Sequence, residues 1–298
     1  ARSAPSLSTF TAGEISPRLE GRITLEKYKA GLSDLTNMVV QPHGGVTRRP
    51  GTQYLGTVKD SSVKSRLIPF QFKTTDTYIL VFGDQVMRVY RNGSKVLKGS
   101  AQNITAVTKA NPGVVTISSH GYSNGDEIFL DNVGGMTELN GRNYKVANVT
   151  TNTFTLQDLF GNDINTTNFT TYTSGGAVDE IFEVATPYEA ADIFDLRFAQ
   201  SADIMYFAHP SYAIRTLSRT NHNAWTFATP TINENSTPSL VGSNNYPSVV
   251  TFFEQRLVFA ASNNQPQTIW FSKSADYLNF HTGSNADDAL IYTIASNQ

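Results

Sequence analysis

The strongest constraint on this chain is a set of short apolar runs that returns after roughly fifty residues. Ile204-Met205-Tyr206-Phe207 follows Leu196-Arg197-Phe198. Ala213-Ile214-Arg215-Thr216-Leu217 and Trp225-Thr226-Phe227 come next. The same design returns as Val250-Thr251-Phe252, Arg256-Leu257-Val258-Phe259, Thr268-Ile269-Trp270-Phe271 and Tyr277-Leu278-Asn279-Phe280. An earlier copy runs Leu67-Ile68-Pro69-Phe70-Gln71-Phe72, Tyr78-Ile79-Leu80-Val81-Phe82 and Val86-Met87-Arg88-Val89-Tyr90, with Gly83-Asp84 and Asn92-Gly93 as turns. β-Branched and aromatic residues fit a pleated, half-buried surface, and Gly and Asn permit the reversals between such runs. A repeat of this length with four short strands predicts β-propeller-like blades in an all-β fold. A sandwich of similar hairpins is the alternative. Trp225, Trp270, Tyr277 and Phe280 read as equivalent positions of a repeated core, the other reading being a sugar-stacking surface.

The first copy lies too far upstream of the second, and residues 103–178 account for the gap. They contain the strand-like runs Ile104–Val107, Val114–Ile117, Glu127–Leu130, Tyr144–Val146 and Thr153–Leu156. Asn124-Gly125, Gly134-Gly135 and Asn140-Gly141 separate them as turns. This predicts a small β-barrel inserted in the first blade. His120-Gly121-Tyr122-Ser123-Asn124-Gly125-Asp126, followed by Asn140-Gly141 and Tyr144, resembles the small β-modules inserted in phage tail proteins.

Residues 1–22 lack periodicity and predict an extended arm. Leu25, Tyr28, Leu32, Leu35 and Met38 recur at helical spacing, which predicts a short helix over 23–38 that Gly31 weakens. The Pro and Gly residues between 42 and 51 predict a tight turn from which Arg48 and Arg49 project. The organisation expected is therefore an arm and short helix over 1–60, a first blade over 61–102, the insertion over 103–178 and further blades over 179–298. Three blades are too few to close a propeller, so blades are expected to continue beyond the sequence given.

Of the 298 residues 16% are charged, 39% are hydrophobic and none is cysteine. Disulfides and thiolate metal sites are excluded, and no apolar run is long enough for a membrane helix. The net charge of -2 gives no reason to expect tight binding of duplex DNA, while leaving room for a conduit through which DNA slides. His43, His120, His209, His222 and His281 sit in polar or turn contexts, none in a nucleophile motif. The Asp192/Asp195 and Asp287/Asp288 pairs read as turn carboxylates, with a glycosidase as the rival reading. The expectation is a non-enzyme with no catalytic residue, cofactor or metal site.

One stretch points to function more directly. It opens with Phe10-Thr11-Ala12-Gly13-Glu14-Ile15-Ser16-Pro17-Arg18-Leu19 and passes through Tyr28-Lys29-Ala30-Gly31-Leu32. It closes with Asn37-Met38-Val39-Val40-Gln41-Pro42-His43-Gly44-Gly45-Val46-Thr47-Arg48-Arg49-Pro50-Gly51-Thr52. This resembles the N-terminal signature of the tail nozzle, or head–tail stabilisation, proteins of short-tailed bacteriophages. The resemblance implies a structural virion subunit of a hexameric ring. That ring would extend the DNA channel below the portal and adaptor rings, retain the packaged DNA, anchor fibres or spikes and conduct DNA at ejection. The implied partners are further copies of the chain, the adaptor and portal proteins, fibres or spikes, and passing double-stranded DNA. Assembly in the host cytoplasm would precede residence in the virion tail. By the same resemblance Phe10, Gly13, Glu14, Ile15, Pro17, Arg18, Tyr28, Asn37, Pro42, Gly44, Gly45, Arg48, Arg49, Pro50 and Gly51 would form the assembly interface. A receptor- or carbohydrate-binding propeller, or a polysaccharide depolymerase, is the competing expectation.

Overall fold

A computed structural model describes residues 7–235, 237–242 and 244–294. The expected arm over 1–22 is thus described only from Leu7 onward. The chain divides into two compact units, Ala1–Tyr54 and Leu55–Gln298. The described residues are almost wholly β.

The second unit holds three antiparallel meanders, the first with a short fifth strand, Ser94–Lys95, beside Val86–Arg91. In the first sheet, Arg66–Lys73, Asp76–Gly83 and Val86–Arg91 pair in sequence, and Glu183–Ala185 adds the fourth strand. The second sheet is Arg197–Ser201, Ile204–His209, Tyr212–Asn221 and Ala224–Ala228. The third is Pro247–Phe253, Arg256–Ser262, Thr268–Phe271 and Leu290–Thr293. These are the blade-like units that the repeat predicts. Short hairpins hold register within the second sheet and between the first three strands of the others, while Glu183–Ala185 and Leu290–Thr293 arrive over longer connections.

The sheets share cores in sequence order. Ile68, Phe70, Tyr78 and Phe82 of the first pack with Met205, Phe207, Leu217 and Trp225 of the second. The other face of the second sheet, through Tyr206, Ala208 and Ile214, packs with Leu257, Phe259 and Trp270 of the third. The middle sheet is therefore buried on both faces, which is why Met205–Ala208 is continuously apolar rather than alternating.

The insertion leaves the first sheet after its third strand and returns as its fourth. Its seven strand segments form one antiparallel sheet. The two edge segments, Gln102–Asn103 and Ala106–Val107, belong to one bent stretch. Ile104 N–H donates to Gly176 O at 3.0 Å, and Thr105 N–H donates to Thr116 O at 2.9 Å. The sheet thus curls and closes on itself as the predicted barrel. Its core includes Val115, Ile128, Leu130, Tyr144, Phe154, Leu156 and Val178. His120 stacks on Tyr122 at 5.2 Å and meets Phe154 edge-on, so that motif is a packing element.

Two expectations are corrected here. Leu278-Asn279-Phe280 is not the closing strand of the third sheet. Leu290–Thr293 takes that place, and Asn279–Phe280 instead pairs parallel with Asn233–Glu234. Trp225 therefore stands on a fourth strand and Trp270 on a third. Both are buried, at 8% and 0% exposure, so their equivalence and the sugar-stacking reading at these positions fall together.

The predicted helix over 23–38 is reduced to a single 3-10 turn at Glu26–Ala30. The chain then forms Gly31–Leu32, paired in parallel with Gly13–Glu14, and Met38–Val40, paired with Val46–Arg48. A Cβ at position 31 would lie 2.6 Å from Ile15 Cγ2, so glycine there permits a close crossing of the chain. Apolar periodicity stabilises a helix only against a core. Leu25 and Met38 are exposed, and Gly44 is the one buried residue among those described in this unit.

Candidate functional site

The signature residues of the first unit are brought together by hydrogen bonds. Phe10 N–H donates to Gly44 O at 2.8 Å, and Ile15 N–H donates to Leu32 O at 2.9 Å. The Glu14 carboxylate accepts from Leu35 N–H at 3.1 Å. Tyr28 hydroxyl accepts from Gly21 N–H at 3.1 Å. Pro17 opens a short 3-10 turn that also holds Arg18, where its missing N–H costs nothing.

The hairpin containing Pro42 is set by Gln41 N–H donating to Gly45 O at 2.8 Å and Gly44 N–H donating to Gln41 O at 3.0 Å. Gly44 has φ +104°, and a Cβ there would lie 2.8 Å from Thr9 Oγ1. Asn37 adopts φ 59°, a conformation asparagine tolerates better than most residues. Arg49 is fixed on it, with N–H to Asn37 O at 3.0 Å and Nε to Asn37 Oδ1 at 2.7 Å. Arg49 Nη1 also donates to Pro50 O at 3.4 Å. Asn37, Arg48, Arg49, Pro50 and Gly51 line a cleft of about 390 Å³. Arg48 stays exposed at the end of its strand.

Among its described residues this unit has no buried apolar core. Leu7, Ile23, Leu25, Met38 and Val39 are all exposed. The arrangement holds its shape through turns and caps while presenting apolar and cationic groups outward, as a segment that docks on another surface would.

A second cluster escaped the sequence analysis. Arg88 is buried in the first sheet and pairs with Glu127 of the barrel and, at 2.7 Å, with Glu183 of the fourth strand. Lys95 pairs with Glu127, and Lys59 pairs with Glu183. Arg88 Nη1 and Tyr90 hydroxyl also donate to Thr57 O at 3.4 and 3.2 Å. Burial pushes the Lys95 ammonium down, against the pull of Glu127. Burial also works to raise the Glu183 carboxyl, but Lys59 and Arg88 outweigh it and hold that group below its usual range. The cluster seats the barrel on the first sheet. The adjoining backbone continues the blade into the barrel through Val96 N–H to Val89 O at 2.8 Å and Phe182 N–H to Val96 O at 2.9 Å. A charge flanked by Met87 and Val89 inside a strand was the available signal, since arginine is rarely fully buried unless paired.

Several of the titratable groups singled out from sequence have structural partners. Asp192 accepts from Tyr212 hydroxyl at 2.6 Å, and its carbonyl lies 3.2 Å from His209 Nε2. Burial lowers the His209 pKa despite Asp192. His222 Nδ1 meets Tyr78 hydroxyl at 2.5 Å. Asp287 and Asp288 flank Lys273 at 3.1 and 3.5 Å.

The barrel is where similarity to known families falls. Residues 110–181 match the family model described as the ubiquitin-activating enzyme E1 FCCH domain. Ubiquitin-like modifier-activating enzyme 1 of Oryctolagus cuniculus is 35% identical over 104 residues, covering 34% of this chain and 9% of that protein. The Homo sapiens protein is 34% identical over the same length, with the same shares. The chain thus spans about a tenth of the length of the curated relatives it matches. Among solved structures, the phage phi92 endosialidase aligns with 80% of this chain and 39% of its own, at 12% identity and a TM-score of 0.25. The family model falls on the inserted β-module, so that likeness describes the insertion and not the chain's activity.

Proposed function

We propose that the chain is a structural subunit of a short-tailed phage tail nozzle. The observation that carries this reading is the first unit, whose signature residues are locked to one another by hydrogen bonds with no buried core among the described residues. A segment built this way gains its remaining stability from a neighbouring molecule. Phe10 to Gly51 is read as the segment that locks onto an adjacent subunit or the adaptor. The meander sheets form the ring wall, and the barrel projects from it. The weak negative net charge suits a channel that passes DNA without holding its phosphates. Arg18 and Arg48 supply charge-assisted contacts to the adjacent subunit, and Arg49, fixed on Asn37, sets the shape of that corner. In this reading the chain carries no catalytic function.

The test is the mass of the native assembly, by light scattering and negative-stain imaging, with and without the adaptor ring. A ring of about six copies is expected, the common outcome when a heterologous interface closes. A monomer that ignores the adaptor at every concentration overturns the reading. Charge reversal of Arg18, Arg48 and Arg49 together is expected to prevent ring recovery, and full recovery of stable rings removes these side chains from the interface.

A further inference from the structure

We propose that neighbouring copies of this chain join by a plug and a socket, the turn 22–25 of one copy seating in an apolar groove on the first unit of the next. The proposal rests on the ring reading above and names a contact within it. The socket is a groove of about 370 Å³ walled by Phe10, Leu32, Leu35, Met38 and Val46. Its walls are set by hydrogen bonds. Phe10 N–H donates to Gly44 O at 2.8 Å, and Leu35 N–H donates to the Glu14 carboxylate at 3.1 Å. Met38 lies on the same face of the hairpin as Val40, which pairs with Val46.

The groove is apolar with an acidic lip. Met38 is 47% exposed, and Leu32 and Leu35 are only half-buried. Asp34 lines the groove and accepts from Thr36 hydroxyl at 2.6 Å. Glu14 reaches the same place through Leu35 N–H. Among the described residues neither carboxylate has an ion-pair partner. Arg48 stands opposite Met38 in the hairpin, but it lines the neighbouring cleft with Asn37 and Arg49 and pairs with neither carboxylate. Such a groove suits an aliphatic side chain with a cation beside it.

The chain presents that combination at 22–25. Ile23 and Leu25 are exposed, Ile23 at 71%, and neither lines the groove of its own copy. Arg22 is exposed and has no ion-pair partner among the described residues. The turn is pinned from within. Arg22 N–H donates to Leu19 O at 3.1 Å, Ile23 N–H to Gly21 O at 2.9 Å and Leu25 N–H to Arg22 O at 3.0 Å. Gly21 supplies φ +78° and donates its N–H to Tyr28 hydroxyl at 3.1 Å. A preformed plug loses little freedom on docking. The other exposed apolar residues fit less well, since Leu7 lies in an uncharged stretch and Val39 lies within a strand. Plug and socket are different surfaces of one chain, so the contact is heterologous and passes from copy to copy until a ring closes.

The chain has no cysteine, so single reporters can be placed on it. Full-length Ile23→Cys and Met38→Cys proteins are mixed and treated with a short bis-maleimide. Mixed pairs are expected in large excess over like pairs. Both positions are exposed, so both variants should keep the wild-type melting temperature. Arg22→Asp and Asp34→Arg should each weaken assembly about tenfold, and the two in one chain should recover most of it. Like pairs as abundant as mixed ones overturn the proposal, as does a double variant no better than the singles. Rings that form without mixed pairs overturn the plug and socket and leave the ring reading standing, as does a Met38→Cys reporter that links only to the adaptor. Mixed pairs in open chains that never close support the plug and socket and overturn the ring.

Discussion

The first unit and the first sheet of the second unit are built on opposite principles. The first unit has the denser sequence signature and only a glycine buried. The first sheet has a diffuse signature, yet Ile68, Phe70, Tyr78, Leu80 and Phe82 are each at most 1% exposed. In the sheet, any residue of about the right size and hydrophobicity serves, so only the alternation is prescribed. In the first unit there is no burial to share the load. Each turn depends on a particular residue, such as Gly44 at φ +104° or Asn37 at φ 59°. A dense motif therefore marks a place where backbone geometry is specified, not a place where stability is concentrated.

The largest effect expected from this contrast comes from deleting residues 1–54. The remaining unit should melt at an unchanged temperature, and ring assembly should disappear entirely. Calorimetry and light scattering on the same sample check both halves. A lowered melting temperature would break the comparison, because the first unit would then support the second.

Next in size is the charged seat of the barrel. Arg88→Met leaves Glu127 and Glu183 with an unpaired share of buried charge. It should cost about 3–5 kcal/mol in urea unfolding. Replacing Arg88 together with Glu127 and Glu183 by apolar residues of similar volume should recover much of that loss, since the penalty lies in the unpaired charge.

The pH dependence should follow the same groups. The Glu183 carboxyl lies below its ordinary value in the folded protein, and Asp76 is held down to about 2, mainly by Arg91 and then Lys73. A depressed folded value means the contribution is complete above the unfolded value of about 4 and lost as pH falls through the folded one. Stability should therefore be insensitive to these groups at neutral pH and should fall as pH drops from about 4 toward 2. The acid limb should be shallower in Glu183→Gln and Asp76→Asn. An unchanged limb in both would show that neither pairing persists in solution.

The smallest effect sharpens the contrast most. Gly44→Ala meets both the left-handed backbone and the Thr9 side chain. It should cost about 1–3 kcal/mol locally. The readout is faster hydrogen exchange at Phe10 N–H, which donates to Gly44 O, together with weaker ring assembly. The melting temperature of the second unit should not move.

Much of the fold was legible in the sequence because β-structure advertises itself through alternation and turn chemistry. Tyr78–Phe82 and Ile204–Phe207 were readable as strands, and Asn140-Gly141 as a turn, because these residues act locally. The misreadings came from long-range competition. Leu25, Leu32, Leu35 and Met38 carry helical spacing, but Leu25 and Met38 are exposed, Leu32 and Leu35 only half-buried, and Gly31 is needed where the chain crosses Ile15. Leu278-Asn279-Phe280 has the composition of a closing strand, but Leu290–Thr293 reaches the edge of Thr268–Phe271 first in space. The groove of the first unit was invisible, because Phe10, Leu32 and Met38 meet only once the chain has folded back on itself.

By itself the sequence determined the all-β class, the repeated meanders, the inserted barrel and the special turns of the first unit. These follow from side-chain size, branching and permitted φ, which each residue carries with it. Tertiary structure alone decided which strand closes the third sheet, that Trp225 and Trp270 are buried, and that Arg88, Lys95, Glu127 and Glu183 converge. Those outcomes depend on competition among distant segments for the same sheet edges and the same dry interior. No residue's own chemistry encodes the result of that competition, because burial and pairing are properties of the neighbours that folding brings together.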